Sequence, residues 1–318
     1  MSIPLAVIDA ERTRDALPFA RLIPVLRQAF AGGAKIPLRH HHTIPQPDGT
    51  SAVLLLMPAW QDQGYLGVKI VTIFPGNSAR GLPGLDSSYL LCDGQTGRHL
   101  ALIDGNQITV RRTVGVAALA ASYLAREDAT SLLLVGAGRV ASLAADAFRA
   151  VRPIRTVTIW NRDRAKAATL AEALRDRGFD AAVAPSLREA AANADIVCCA
   201  TLSATPLIQA DWLKPGTHLD LIGSFTPAMR EADDACFVRG RVYVDSPDAL
   251  AESGDLVDPI RNGTLSPTAL AGTLAQLCAG AVAGRGTDDE ITVFKAVGTA
   301  LSDIAAGALV YRTLQRMD

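Results

Sequence analysis

Apolar residues follow two rhythms along the chain, and the change between them divides it. Between residues 37 and 104, apolar runs at 51–57 (SAVLLLM), 65–74 (YLGVKIVTIF) and 88–92 alternate with turn chemistry at Pro47-Asp48-Gly49, Pro75-Gly76-Asn77 and Asp93-Gly94. Such short connections predict an antiparallel sheet, and the imperfect alternation of its strands predicts cover on both faces. At Thr113 the rhythm changes, and this residue is expected to cap a helix over 114–126. Strands are then expected at 131–135, 156–160, 181–184, 195–200, 218–222 and 242–245. Helices at 140–150, 163–177 and 187–193 separate the first four, which predicts parallel crossovers and a doubly wound sheet. Residues 290–314 read as one long apolar helix beyond the last strand, expected to pack back on the N-terminal sheet and make that domain discontinuous.

Composition narrows the classes. The chain has 318 residues, 49% hydrophobic and 20% charged, with 31 basic against 32 acidic side chains. That excludes disorder as the main state and argues against a nucleic-acid or membrane-surface partner. Aromatic content of 5% also excludes a stacking platform for single strands. Cys92, Cys198, Cys199, Cys236 and Cys278 lack metal-ligand spacing and read as buried thiols of a reducing compartment. Asp9, Glu11 and Arg12 argue against a signal peptide, and the Ala/Gly-rich stretch 268–284, with Gln276, is too weak to span a bilayer. A cytoplasmic protein is expected.

The sharpest local motif is Leu134-Val135-Gly136-Ala137-Gly138-Arg139-Val140-Ala141. Gly136 allows the tight turn after a strand, Gly138 lets backbone approach a pyrophosphate, and Ala141 permits close helix–strand packing. Phosphate would then meet the free amides of the helix start. Two glycines alone often mark only a turn, but here a strand precedes, a helix follows and a second strand comes at the right distance. An NAD site usually carries an acidic residue about 20 residues further on, for the ribose hydroxyl. Here the second strand ends in Asn161, followed by Arg162, a pairing that accepts a 2′-phosphate, with Arg164 or Lys166 as possible helpers. NADP(H) is therefore expected in preference to NAD(H).

Arg39, Lys69 and Arg112 stand out in the first domain. Lys69 interrupts an apolar strand, so it must snorkel outward or meet an anion. Singly each reads as a surface cation; together they could clamp a carboxylate.

With these residues in view, the sequence resembles the ornithine cyclodeaminase/mu-crystallin family over essentially its whole length. The matching segments are Pro37-Leu38-Arg39, Gly67-Val68-Lys69, Arg112-Thr113, Val135–Gly138, Ala200-Thr201, Val242–Asp245, Glu252-Ser253-Gly254-Asp255 and 293–300 (VFKAVGTA). The resemblance implies an α/β fold: a Rossmann-type doubly wound parallel sheet at 116–290, plus a discontinuous α+β substrate-binding and dimerisation domain at 1–115 with 291–318. The latter would carry a mainly antiparallel sheet and join its copy in a homodimer. The resemblance also implies that Arg39, Lys69 and Arg112 hold an amino- or imino-acid carboxylate. Arg112, Gly136, Ala137, Gly138, Arg139, Val140, Ala141, Asn161, Arg162, Thr201, Ser203 and Val297 are the expected cofactor-side residues. In one respect the chain departs from the family's cyclodeaminases: Phe225 stands where they carry an Asp, two residues before Pro227. Phenylalanine cannot pair with a distal ammonium, which favours the family's ketimine reductases over ornithine deamination.

The expected reaction is NADPH-dependent reduction of Δ1-pyrroline-2-carboxylate or Δ1-piperideine-2-carboxylate to L-proline or L-pipecolate. Lys69 is the catalytic candidate, either as proton donor or as a purely electrostatic carboxylate contact. Rival readings are an ornithine cyclodeaminase, an alanine-type amino-acid dehydrogenase, and a non-catalytic NADPH-dependent binder of small molecules. No metal is expected, because consecutive His40, His41 and His42 alternate faces in an extended segment.

Overall fold

The computed structural model describes residues 5–47, 49–62 and 64–316, so Asp48 of the first expected turn lies outside the described residues. The chain forms two compact units, Met1–Arg112 with Thr299–Asp318, and Thr113–Gly298.

The first unit is built on six strands: β1 (Ala6–Ile8), β2 (His40–Pro45), β3 (Ser51–Trp60), β4 (Tyr65–Ile73), β5 (Leu85–Asp93) and β6 (His99–Asp104). Their order is β1-β6-β5-β4-β3-β2, antiparallel throughout except for the β1–β6 pair. Helix Ala300–Gln315 packs over β3, β4 and β5 and against helix Phe19–Gly32. Alternation along the strands sends Met57, Ala59, Val71, Tyr89, Leu91 and Ile103 to this covered face. Gly307 gives the Tyr89 ring its room, since a Cβ there would lie 2.6 Å from Tyr89 Cε1.

The opposite face is apolar and is not covered by the described residues of this unit. Leu54, Leu56, Val68 and Leu90 are half-buried there, and Ile70 is exposed. The expectation of cover on both faces is therefore corrected for the single chain. An apolar second face breaks strict alternation just as a buried one does.

The second unit holds a parallel sheet of β7 (Ser131–Val135), β8 (Thr156–Trp160), β9 (Asp180–Val183), β10 (Ile196–Cys199), β11 (His218–Leu221), β12 (Arg241–Val244), β13 (Gly272–Thr273) and β14 (Thr292–Lys295). The order is β13-β12-β14-β11-β10-β7-β8-β9, every pair parallel. From β7 the chain winds through β8 and β9 on one side, then returns to β10 on the other. The strand order thus reverses between β7 and β10, and ligands of such sheets bind outside the carboxyl ends at that point.

Two expectations are corrected. Thr113 caps nothing: the helix spans Gly105–Leu124, and Asp104 Oδ1 accepts the Gln107 amide at 2.6 Å near its start. Gly105-Asn106-Gln107 carry turn chemistry, which hides the first helical turns. Nor is 290–314 one helix. Thr292–Lys295 form β14, buried between β11 and β12, and the helix begins only after Thr299, whose side chain accepts the Leu301 amide. A strand buried on both faces has the continuous apolar look of a buried helix. Residues 291–298, expected with the first domain, accordingly belong to the parallel-sheet unit.

Candidate active site

Each unit gathers its own set of functional side chains. In the first, strand register builds a row. Lys69 pairs with Met57 of β3 on one side and Tyr89 of β5 on the other. Arg39, half-buried, immediately precedes His40, which pairs with Leu56, so it continues the row beyond Met57. Arg112 arrives from helix Gly105–Leu124 and Asp303 from helix Ala300–Gln315.

Lys69 is 2% exposed, Arg112 6% and Asp303 fully buried. Lys69 Nζ lies 2.8 Å from Asp303 Oδ2, and Arg112 Nε lies 2.9 Å from Asp303 Oδ1. Burial brings the Lys69 ammonium down to about 8, with Arg112 and Arg39 pushing the same way and Asp303 resisting. Although burial opposes ionisation, Lys69 and Arg112 hold the Asp303 carboxyl below its ordinary range. Two buried cations on one carboxylate leave a positive surplus that an anion would satisfy. Asp303 is absent from the sequence expectations, yet its signal is the one that singles out Lys69: a charge inside an apolar element, here ALSDIAAGALVY.

In the second unit, Gly136 ends β7 with φ +116° and donates its amide to Trp160 O at 2.8 Å. A Cβ there would lie 2.7 Å from Ala200 O, so no other residue fits this turn at the strand-order reversal. Around a Cβ placed on Gly138 nothing lies within 4 Å, which leaves open space before helix Ala141–Arg149. This arrangement fits a dinucleotide's pyrophosphate: backbone amides, the positive end of a helix and free room. Ala137 and Val140 are half-buried beside it, Ala141 is buried and Arg139 is exposed.

At the end of β8, Asn161 donates to Asp163 O at 2.9 Å, while the Asp163 carboxylate accepts the Ala165 amide at 3.0 Å as a helix cap. Arg162 is exposed. Thr201 and Ser203 follow β10, where the Ser203 hydroxyl donates to Thr205 O. Val297 follows β14, its amide donating to Asp245 Oδ2 at 3.1 Å. His40, His41 and His42 lie along the exposed edge strand β2.

At the ends of β10 and β11 lies a buried charge cluster, of which Asp255 and Lys295 fall in the family segments and Glu231 outside them. Glu231 Oε1 accepts the Thr201 amide (2.7 Å) and hydroxyl (2.8 Å), and its Oε2 accepts the Gly223 amide (2.7 Å). Asp255 Oδ1 accepts the Glu231 and Ala232 amides, and Oδ2 pairs with Lys295 Nζ at 3.3 Å. All three side chains are fully buried. Burial pushes Glu231 up to about 7, helped by the like charge of Asp255 and opposed by Lys295 and Thr201.

Replacing Glu231 by Gln brings an amide donor against donors and is expected to cost about 2 kcal/mol of stability in urea unfolding. The folded chain keeps a proton on Glu231 that the unfolded chain sheds between the ordinary 4.5 and about 7. This group's contribution therefore falls as pH rises through that window, and the deficit of Glu231→Gln should be larger at pH 5 than at pH 7. An equal deficit at both values contradicts this assignment.

The profile of the ornithine cyclodeaminase/mu-crystallin family matches residues 12–317. A Δ1-pyrroline-2-carboxylate reductase of Colwellia psychrerythraea is 35% identical, over 98% of this chain and 99% of its own. The Thermococcus litoralis Δ1-pyrroline-2-carboxylate reductase, solved with NADH and L-proline, superposes with a TM-score of 0.92 at 31% identity, covering 98% of each chain. An archaeal alanine dehydrogenase dimer with bound NAD gives 0.91 at 28% identity, covering 99% of this chain and 97% of that one. From Arg12 almost to its last residue, this chain belongs to the ornithine cyclodeaminase/mu-crystallin family.

Proposed function

We propose that the protein is an imine reductase that converts a cyclic imino acid, Δ1-pyrroline-2-carboxylate or Δ1-piperideine-2-carboxylate, to L-proline or L-pipecolate, with NADPH as reductant. The observation that carries this reading is the buried surplus of positive charge formed by Lys69 and Arg112 on the single carboxylate of Asp303, with Arg39 next in the same row. A small acid brings the missing negative charge and is thereby oriented. When bound, the nicotinamide supplies a hydride to C2 of the C=N bond. Lys69, brought to about 8, still carries its proton at neutral pH and gives it up more readily than an ordinary lysine. That proton, delivered to the imine nitrogen, completes the CH–NH product. Reductase relatives at 35% and 31% identity support the substrate class.

Phosphorylated cofactor is favoured by the end of β8. Asn161 brings no negative charge there, Asp163 is engaged as a helix cap, and exposed Arg162 is available to a 2′-phosphate. A homodimer joined through the apolar outer face of the first unit's sheet is part of the same reading, as that row includes Val68, Leu56 and exposed Ile70. So is a cytoplasmic setting, which suits the buried free thiols Cys92, Cys198, Cys199 and Cys236. Among the described residues, no helix is long and apolar enough to cross a membrane.

The direct test is loss of NADPH absorbance on adding five- or six-membered ketimine carboxylates, with pyruvate plus ammonium as the competing substrate pair. Arg39→Ala is expected to raise KM for the imine about tenfold or more, while Lys69→Ala is expected to lower turnover at saturation as well. Turnover of pyruvate and ammonium but not of imines would reassign the enzyme as an amino-acid dehydrogenase. Binding of NADPH without any turnover would make it a binding protein.

Cofactor choice is read by Arg162→Ala, expected to raise KM for NADPH about tenfold and to leave that for NADH nearly unchanged. Equal effects on both cofactors rule out the 2′-phosphate contact. In sedimentation, Ile70→Lys is expected to shift a dimer towards monomer; an unaltered dimer would mean that the outer sheet face is not the interface.

A further inference from the structure

Asp303 touches both Lys69 and Arg112, yet the reaction proposed above asks nothing of it directly. We propose that Asp303 is a positioning residue for imine reduction: one carboxylate oxygen to each cation fixes the Lys69 ammonium and the Arg112 guanidinium side by side, and so sets where the substrate's acid group and imine nitrogen must lie. The inference rests on the imine-reductase reading and adds a residue to it.

The geometry makes the case. Asp303 is fully buried, and the contacts at 2.8 Å and 2.9 Å use a different oxygen for each partner. Arg112 meets Asp303 through Nε; its terminal nitrogens make no hydrogen bond among the described residues and remain for an incoming carboxylate. The aspartate itself is well fixed. Its helix is capped by Thr299, the Ser302 hydroxyl donates to Thr299 O, and one turn further on Gly307 packs under the Tyr89 ring. Without this carboxylate two cations would face each other across a dry site, and like charges so placed turn apart or discharge.

The charged and titratable groups facing Lys69 are Asp303 from helix Ala300–Gln315, Arg112 from helix Gly105–Leu124, Arg39 beside β2 and Tyr89 on β5. Tyr89 stays neutral, because burial and Asp303 raise its hydroxyl far above the usual range. Asp303 is the sole member of this set that favours the charged lysine. In the wild type, activity that needs the Lys69 proton declines as pH rises through about 8. Removing the opposing charge lets burial and the two arginines prevail, so that decline moves to lower pH.

The experiment compares wild type, Asp303→Asn and Asp303→Glu in kcat/KM for a cyclic ketimine carboxylate with NADPH across pH. In parallel, the titration of Lys69 is read by competitive acetylation and mass spectrometry, and NADPH binding by fluorescence checks the other unit. Asp303→Asn is expected to lose about a hundredfold in kcat/KM and to move the alkaline decline down by about one pH unit or more. Lys69 labelling should shift by the same amount and NADPH affinity stay unchanged. Asp303→Glu should restore the position of the decline while kcat/KM stays depressed, since it returns the charge on a longer arm. An Asn variant with wild-type kcat/KM, or one whose decline and labelling do not move, overturns the proposal. If Asp303→Asn does not fold, the Glu variant decides alone: unchanged kcat/KM overturns the proposal, and a depressed value with the decline still near pH 8 supports it. Failure of the wild type to reduce any imine would instead sink the reductase reading, while labelling of Lys69 would still report whether Asp303 sets its proton affinity.

Discussion

One buried carboxylate that serves two cations is the interaction on which the first unit's chemistry depends. Taking Lys69, Arg112 and Asp303 out of water costs several kcal/mol per ion, and their mutual attraction offsets this only where contacts are close and well aimed. Both contacts are under 3 Å. The set still sums to a positive charge, and Arg39 adds to it. Such a cluster is complete only with an anion present, so the feature that costs stability in the free protein is the one that, on the proposed function, would confer selectivity for an acid. Apolar residues at these positions would make a sounder core and no site.

The parallel-sheet unit applies buried carboxylates to another task. Where strands end and loops begin, amide donors lose their ladder partners and need others. Asp245 takes the amides of Val297 and Gly298 after β14, and Glu231 takes those of Thr201 and Gly223 after β10 and β11. Asp255 fixes Glu231 in turn through the backbone and is balanced by Lys295. The loops at the carboxyl ends of the strands thus find partners for their amides in buried carboxylates. Beside them the Gly136 turn lies against Ala200 O at a spacing that only a glycine fits.

Much of this was legible in the sequence wherever local pattern and tertiary demand agree. β7 and β8 fall at the expected residues, 131–135 and 156–160, because an apolar run, turn residues and a following helix all point the same way. β14 was not legible: a short strand inserted between β11 and β12 is buried on both faces and runs almost directly into an apolar helix, so periodicity merges the two. The start of helix Gly105–Leu124 was hidden for the opposite reason, its first turns being polar and turn-like. Among site residues, Lys69 was found by its misfit with an apolar strand. Asp303 shows the same misfit but lies in a segment read as an anchoring helix, and Glu231 sits in a loop where a carboxylate looks ordinary. Burial, which sequence does not display, is what separates those from surface charges.

The two duties proposed for the cation cluster place opposite demands on Lys69. A substrate carboxylate resting on its ammonium would hold the proton more tightly and make the lysine a poorer acid. On the proposed function Arg39 and Arg112 would resolve the conflict, because a guanidinium binds a carboxylate in a planar, two-point fashion and never gives up its own proton. With the acid group on the arginines, the proposal leaves Asp303 to sustain the charge on Lys69, whose hold on its proton burial weakens. An arginine in place of Lys69 would keep a cation beside Asp303 and remove the donor; a neutral side chain would remove the donor and leave Asp303 to Arg112 alone. The chemistry thus calls for one lysine among arginines, placed where burial weakens its hold on the proton and one carboxylate keeps that weakening in check.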